Sequence, residues 1–240
     1  MSQNLAWICS RITTLLAFVD QNAPSGLVNQ RTGATYAPGL PALSETQVAN
    51  MLRTEWLSHH PGDFRPGGIL TQVPYPGLSR ASCDLVVSTQ GWSAQQHEWA
   101  IELKRIQLVG DNGKNNDYGV QKMLSPYLKD RSLFHDLTRL RSHAPAAKRA
   151  VIGYAFDYSW SSCQQALHIH PAESLRVGNI RVVCTTNDPT SGVYSSQDLV
   201  QAADQFLRAK GLVKSHCVTT FSGLWRHPCG GNGRTFAWEV

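Results

Sequence analysis

The sequence predicts an α/β sandwich, a central mixed β-sheet flanked by helices, on three observations. Helical periodicity opens the chain, three β-rich runs follow one another in the first half, and a helical stretch separates them from a fourth β-rich run. Leu5 to Val19 carries Trp7, Ile8, Ile12, Leu15, Leu16 and Val19 on one side, which predicts a helix over 4–20. Arg11 interrupts its apolar run, and neither a basic leader nor a small-residue cleavage site accompanies it. It therefore reads as a helix of the fold and not as a signal peptide, with a cytoplasmic location expected.

The stretch 22–41, rich in Gly, Pro and Asn, is a loop. Ser44-Glu45-Thr46-Gln47 has the form of a capping box, and the helix it opens carries Val48, Met51, Leu52 and Trp56 before Pro61-Gly62 ends it. Strands are predicted over Ile69–Tyr75, Asp84–Ser88 and Glu98–Ile106, the first two joined by a turn at Pro76-Gly77 and the third led in by the polar segment 90–97. A polar loop over 110–117 precedes helical stretches near 118–124 and over 132–142, and Lys148–Asp157 is the fourth strand. Ser196–Lys210 is an amphipathic helix stopped at Gly211, and the tail from Phe221 to Val240 reads as a hairpin turned by Gly230-Gly231-Asn232-Gly233. The expected organisation is one domain over 1–240, with a core of about 44–157, the helix 4–20 before it and a helix and hairpin over 158–240 after it. That last third, with Trp225 and Trp238, is read equally as core, as a dimer surface or as a partner-contacting addition.

At 240 residues the chain is long enough to bury a sizeable core, and no apolar run approaches the roughly 20 residues that span a bilayer. The six cysteines are scattered with no C-x-x-C pair, so buried free thiols are expected. The net charge is +5, and 101–150 alone holds ten Lys or Arg against five Asp or Glu, so the whole excess lies in that stretch. A concentrated positive charge suits a polyanion. No G-x-S-x-G elbow and no phosphate-binding G-x-x-x-x-G-K-[ST] loop is present, which removes those hydrolase classes. A zinc site from His216, Cys217, His227 and Cys229 has no standard spacing, and His59, His60, His168 and His170 read as loop and surface histidines.

The chemistry concentrates elsewhere. Side chains alternate along a strand, so Glu102 and Lys104 share one face while Ile101 and Leu103 point to the other. A carboxylate and an ammonium in an otherwise apolar strand cost free energy unless something uses them. A hairpin can bring Asp84 beside them. Asp84, Glu102 and the Leu103 carbonyl then offer oxygen ligands suited to Mg²⁺, and Lys104 is placed to hold and help deprotonate an attacking water and to stabilise charge on a phosphate.

Asp84, seventeen intervening residues, then Glu102-Leu103-Lys104 resembles the PD-(D/E)XK signature of restriction-endonuclease-like nucleases, although Cys83 stands where that signature often has proline. The resemblance covers roughly 44–157 and extends to uncharacterised bacterial members of the superfamily. It implies the restriction-endonuclease-like three-layer sandwich and a Mg²⁺-dependent nuclease, with Mn²⁺ as a possible substitute, cutting DNA in preference to RNA. Asp84 and Glu102 would bind the metal, with Lys104 catalytic. Relatives often carry a glutamate near the start of the preceding helix, which Glu45-x-x-Val48-x-x-x-Leu52 fits. Glu45 is preferred over Glu55 for this role. Gln121 falls where some relatives carry a supporting glutamine, but their tyrosine four residues on is Ser125 here. Lys114, Lys122, Lys129 and Arg131 are candidate phosphate contacts, and a homodimer is common among relatives that cut both strands. Two other readings stand beside this one: a nucleic-acid-binding module of the same fold that no longer cleaves, and a structural or interaction domain whose E-x-K is coincidental.

Overall fold

Asn4 and Ser44 start the two helices that cover one face of the sheet. The Asn4 side chain accepts the Trp7 N–H at 2.9 Å, opening α1 (Leu5–Asn22). The chain then leaves in the extended conformation that Ala23 must adopt before Pro24. Ser44 and Gln47 exchange hydrogen bonds as the capping box requires and open α2 (Glu45–His59). These and the following features come from a computed structural model, which describes residues 4–28, 33, 35–36, 38–64, 66–88, 97–106, 132–161, 176–177, 180–181, 193–224 and 231–240.

Three strands, β1 (Ile69–Pro74), β2 (Ser82–Val87) and β3 (His97–Ile106), form the antiparallel meander. A helix, α3 (Leu133–His143), lies in the crossover to β4 (Ala146–Phe156), which runs parallel to β3. After α4 (Gln197–Ala209), β5 (Ser215–Phe221) and β6 (Gly233–Glu239) form a hairpin, and β6 pairs antiparallel with β4. The sheet order is β1-β2-β3-β4-β6-β5, six strands mixed in direction and mostly antiparallel. Two further pairs of two-residue strands lie outside it.

Alternation along the strands divides the core in two. Trp99, Ile101 and Leu103 of β3 join Ile152 and Tyr154 of β4 under α1 and α2. Ala100 and Ile106 join Val151, Ala155, Phe236 and Trp238 under α3 and α4. The result is three layers, helices on each face of a mixed sheet, as the sequence predicts. No helix among the described residues is long and apolar enough to cross a membrane.

The elements differ from expectation at their edges. Trp7 and Met51 are half-buried, not core. Strand β2 begins at Ser82, two residues early, because Ser82 and Cys83 pair with Pro74 and Val73 of β1. Phe221 ends the first strand of the C-terminal hairpin instead of opening it. The polar alternation of Ser215-His216-Cys217-Val218-Thr219 hides a strand whose outer face meets solvent. The tail is part of the central sheet, since β6 fills the place between β4 and β5. Among the described cysteines, Cys9 and Cys83 are buried and free, and Cys217 is free and half-buried. The expected helix near 118–124 and the loop before it lie outside the described residues.

Gly153 of β4, paired with Lys104, keeps the sheet tight beneath the residues described below. A Cβ there would lie 2.2 Å from the Phe236 ring and 2.5 Å from the Lys104 carbonyl oxygen. Gly153→Ala is expected to cost about 3 kcal/mol by overpacking, read as a lower urea midpoint with an unchanged slope.

Candidate active site

Strands β2 and β3 part at Asp84. Their ladder runs through Val87↔Trp99, Val86↔Ala100 and Leu85↔Ile101 and goes no further. Asp84 would face Glu102 in the next rung. Instead the Asp84 side chain takes over the backbone's role, its Oδ2 accepting the Leu103 N–H at 3.0 Å. An N–H at this depth needs an acceptor, and the carboxylate supplies one while the strands fork. On the other side the β1–β2 register passes from Thr71↔Leu85 to Val73↔Cys83 with no pair at Gln72 and Asp84.

Glu102 and Lys104 face the α3 side as alternation requires, and both are buried, 4% and 7% exposed. Glu102 Oε1 accepts a short hydrogen bond from the Tyr75 hydroxyl. Burial, then the nearby Asp84 and Asp136 carboxylates, push the Glu102 carboxyl well above its usual range, against the Tyr75 bond; Glu102 and Asp84 are within hydrogen-bonding reach of each other. Burial beside a second carboxylate thus favours the neutral form of Glu102. Lys104 Nζ lies 2.7 Å from Asp136 Oδ2 and 3.1 Å from Glu45 Oε2. Burial works to lower the Lys104 pKa, but Glu45 and Asp136 outweigh it and hold the ammonium above its ordinary value. Glu45, first residue of α2, also accepts the Arg105 N–H at 3.1 Å through Oε1. It thereby ties the start of that helix to the end of β3.

The structure thus brings Asp84 to Glu102 and Glu45 to Lys104, with Asp136 near both Glu102 and Lys104. It does not bring Glu55, which accepts from Asn22 at 2.9 Å and pairs with His59 at 3.3 Å between α1 and α2. Ten residues beyond Glu45 on a helix is about 15 Å, so one of the two had to be remote. Gln121, Lys114, Lys122, Lys129 and Arg131 lie outside the described residues. Apart from Lys104, the described basic residues of 101–150 have partners within the fold: Arg105 donates to the Pro41 and Leu43 carbonyls, Arg139 pairs with Asp136, Arg141 donates to Gly211, Arg149 to Arg141, and Lys148 pairs with Glu98.

The two described residues of the rival zinc set, His216 and Cys217, point apart. His216 faces Asp204 at 3.6 Å, while the Cys217 thiol reaches the Leu5 carbonyl on α1 at 4.0 Å; neighbours on one strand point to opposite faces. His227 and Cys229 lie outside the described residues, as do His168 and His170. His59 stacks on Phe18, and His60 is 3.4 Å from Arg11.

Asp136, Tyr75 and Gln72 were not anticipated. Asp136 is 2% exposed and is also paired with Arg139. Its signal was available: Leu133, Leu137 and Leu140 form the apolar stripe of α3, and Asp136 interrupts that stripe three residues after Leu133. Tyr75 and Gln72 carry none, because a strand's partner register is invisible in its own composition.

Among the described residues no three His, Cys, Asp or Glu side chains form a ready metal cage. The donor set fits a hard cation in a sparser way: the half-buried Asp84 and the buried Glu102 face each other, and a divalent ion would relieve their crowding, beside the edge from which Leu103 presents its backbone groups. Comparison with protein-family models, with curated proteins and with solved structures finds no match to this chain.

Because the folded-state pKa of Glu102 is raised, the stability it permits is intact below the carboxyl's unfolded value and is lost as pH rises through the folded one. Glu102→Gln is expected to stabilise the metal-free protein at pH 8 by about 1–2 kcal/mol, with the gain shrinking toward pH 5, in thermal melts with chelator.

Proposed function

We propose that this chain is a Mg²⁺-dependent nuclease of restriction-endonuclease-like fold, hydrolysing phosphodiester bonds of DNA. The observation that carries the reading is the meeting of Asp84 and Glu102 at the β2–β3 fork, with Lys104 two residues on along the same face of β3. Each residue of the D…E-x-K pattern lies in the strand expected for it, and Glu45 joins them from the start of the preceding helix. The fold supports it too, with three antiparallel strands, a helix and a parallel fourth strand under flanking helices.

Asp84 and Glu102 would hold the metal, with the Leu103 carbonyl and waters completing the shell. When bound, the ion supplies a polarised phosphate and a bound water of lowered pKa. The chain's own residues do the rest. Lys104, flanked by two carboxylates, remains an ammonium at neutral pH, so its role is to stabilise charge on the phosphate oxygens more than to take a proton. Asp136, almost fully buried, fixes the ammonium from below. Of the two carboxylates at Lys104, Glu45 is the more open to solvent, its side chain 37% exposed against 3% for Asp136, and it would accept the proton released by the attacking water.

The test is cleavage of plasmid, linear and single-stranded DNA with Mg²⁺ or Mn²⁺ by wild type, Lys104→Ala and Asp84→Asn. Metal-dependent cutting that falls about 100-fold or more in both variants is expected. Equal cutting by all three contradicts the assignment. Binding of DNA without cutting by any of them supports the non-cleaving module instead.

A further inference from the structure

Gln72 stands in the middle of β1 with φ +53°, in the left-handed region that non-glycine residues seldom occupy. Such a conformation is strained and persists where the surroundings over-determine it. Here they do. The Gln72 Nε2 donates to Asp84 Oδ1 at 3.0 Å, and its Oε1 accepts the Ser82 hydroxyl at 2.9 Å. The two bonds fix which end of the amide is which, since only the NH₂ can face a carboxylate and only the oxygen can take the hydroxyl proton. The backbone turn at Gln72 coincides with the missing rung between Thr71↔Leu85 and Val73↔Cys83. The left-handed turn and the aimed amide are thus one local feature.

We propose that Gln72, anchored by Ser82, is a positioning residue that sets the orientation of Asp84 for a divalent cation. The inference rests on the nuclease reading above. With the Leu103 N–H alone on Oδ2, the carboxylate can still rotate about its own axis. The Gln72 amide on Oδ1 removes that freedom and leaves each oxygen a lone pair for the side facing Glu102. Just past the end of the same strand, the Tyr75 hydroxyl treats Glu102 in the same way. Carboxylates that ligate metals are ordinarily held by such donors, and loss of one lowers metal affinity about 10–100-fold.

Calorimetric titration of the full chain with Mn²⁺ tests this, using wild type, Gln72→Gly and Ser82→Ala. Glycine adopts φ +53° without strain, so Gln72→Gly removes the amide while the fold relaxes. Its Mn²⁺ affinity is expected to fall about 10-fold with a melting temperature unchanged or raised. Ser82→Ala is expected to give a smaller fall in the same direction. Unchanged Mn²⁺ affinity in Gln72→Gly, whatever happens to its melting temperature, overturns the positioning role and leaves the nuclease reading standing. Failure of the wild type to bind Mn²⁺ overturns the cation site itself, and this inference with it.

Discussion

The hydrogen bond from the Leu103 N–H to the Asp84 carboxylate stands in for a rung of the β-sheet, and the rest of the site depends on it. Were the ladder continued, Asp84 and Glu102 would be ordinary neighbours in a closed pair of strands, with no room between them. Because a side chain replaces the backbone acceptor, the strands open without orphaning a buried donor. The opening leaves two carboxyls facing each other on the inner side of the sheet. Gly153 and Phe236 keep β3 seated on β4 directly beside the fork, so it opens on one side only.

Charge arithmetic explains why the arrangement is a poor structural device. Glu45 and Asp136 flank the Lys104 ammonium, Arg139 pairs Asp136 from outside, and Asp84 and Asp136 both press on Glu102. A buried ion pair adds little net stability even when balanced. This one is unbalanced, and the imbalance is concentrated at Glu102, whose carboxyl is forced toward its neutral form. A chain selected only for stability would place apolar residues there. A divalent cation resolves the same imbalance by neutralising the carboxyls it bridges.

Much of this was legible in the residues. The capping box at Ser44–Gln47, the alternation of Glu102 and Lys104 against Ile101 and Leu103, and the stop at Gly211 are local signals, and each appears in the structure. The convergence of Asp84 with Glu102 was legible because a meander forces neighbouring strands together. What stayed hidden depends on register and on long-range packing. Asp136 reaches Lys104 only through the crossover that lays α3 over β3, and Gln72 meets Asp84 only because the β1–β2 register sets them opposite. The place of the C-terminal hairpin was equally hidden, since nothing in Gly233–Glu239 states that its partner is β4.

Crystals of the protein grown with Mn²⁺ and measured at the manganese absorption edge test the central claim most directly. The expected result is an anomalous peak between the Asp84 and Glu102 carboxylates, bonded to an oxygen of each and to the Leu103 carbonyl, with Lys104 still beside Glu45 and Asp136. A map from well-ordered crystals at millimolar Mn²⁺ with no peak at the fork, and with Glu102 still holding only Tyr75 and Asp84, would contradict it.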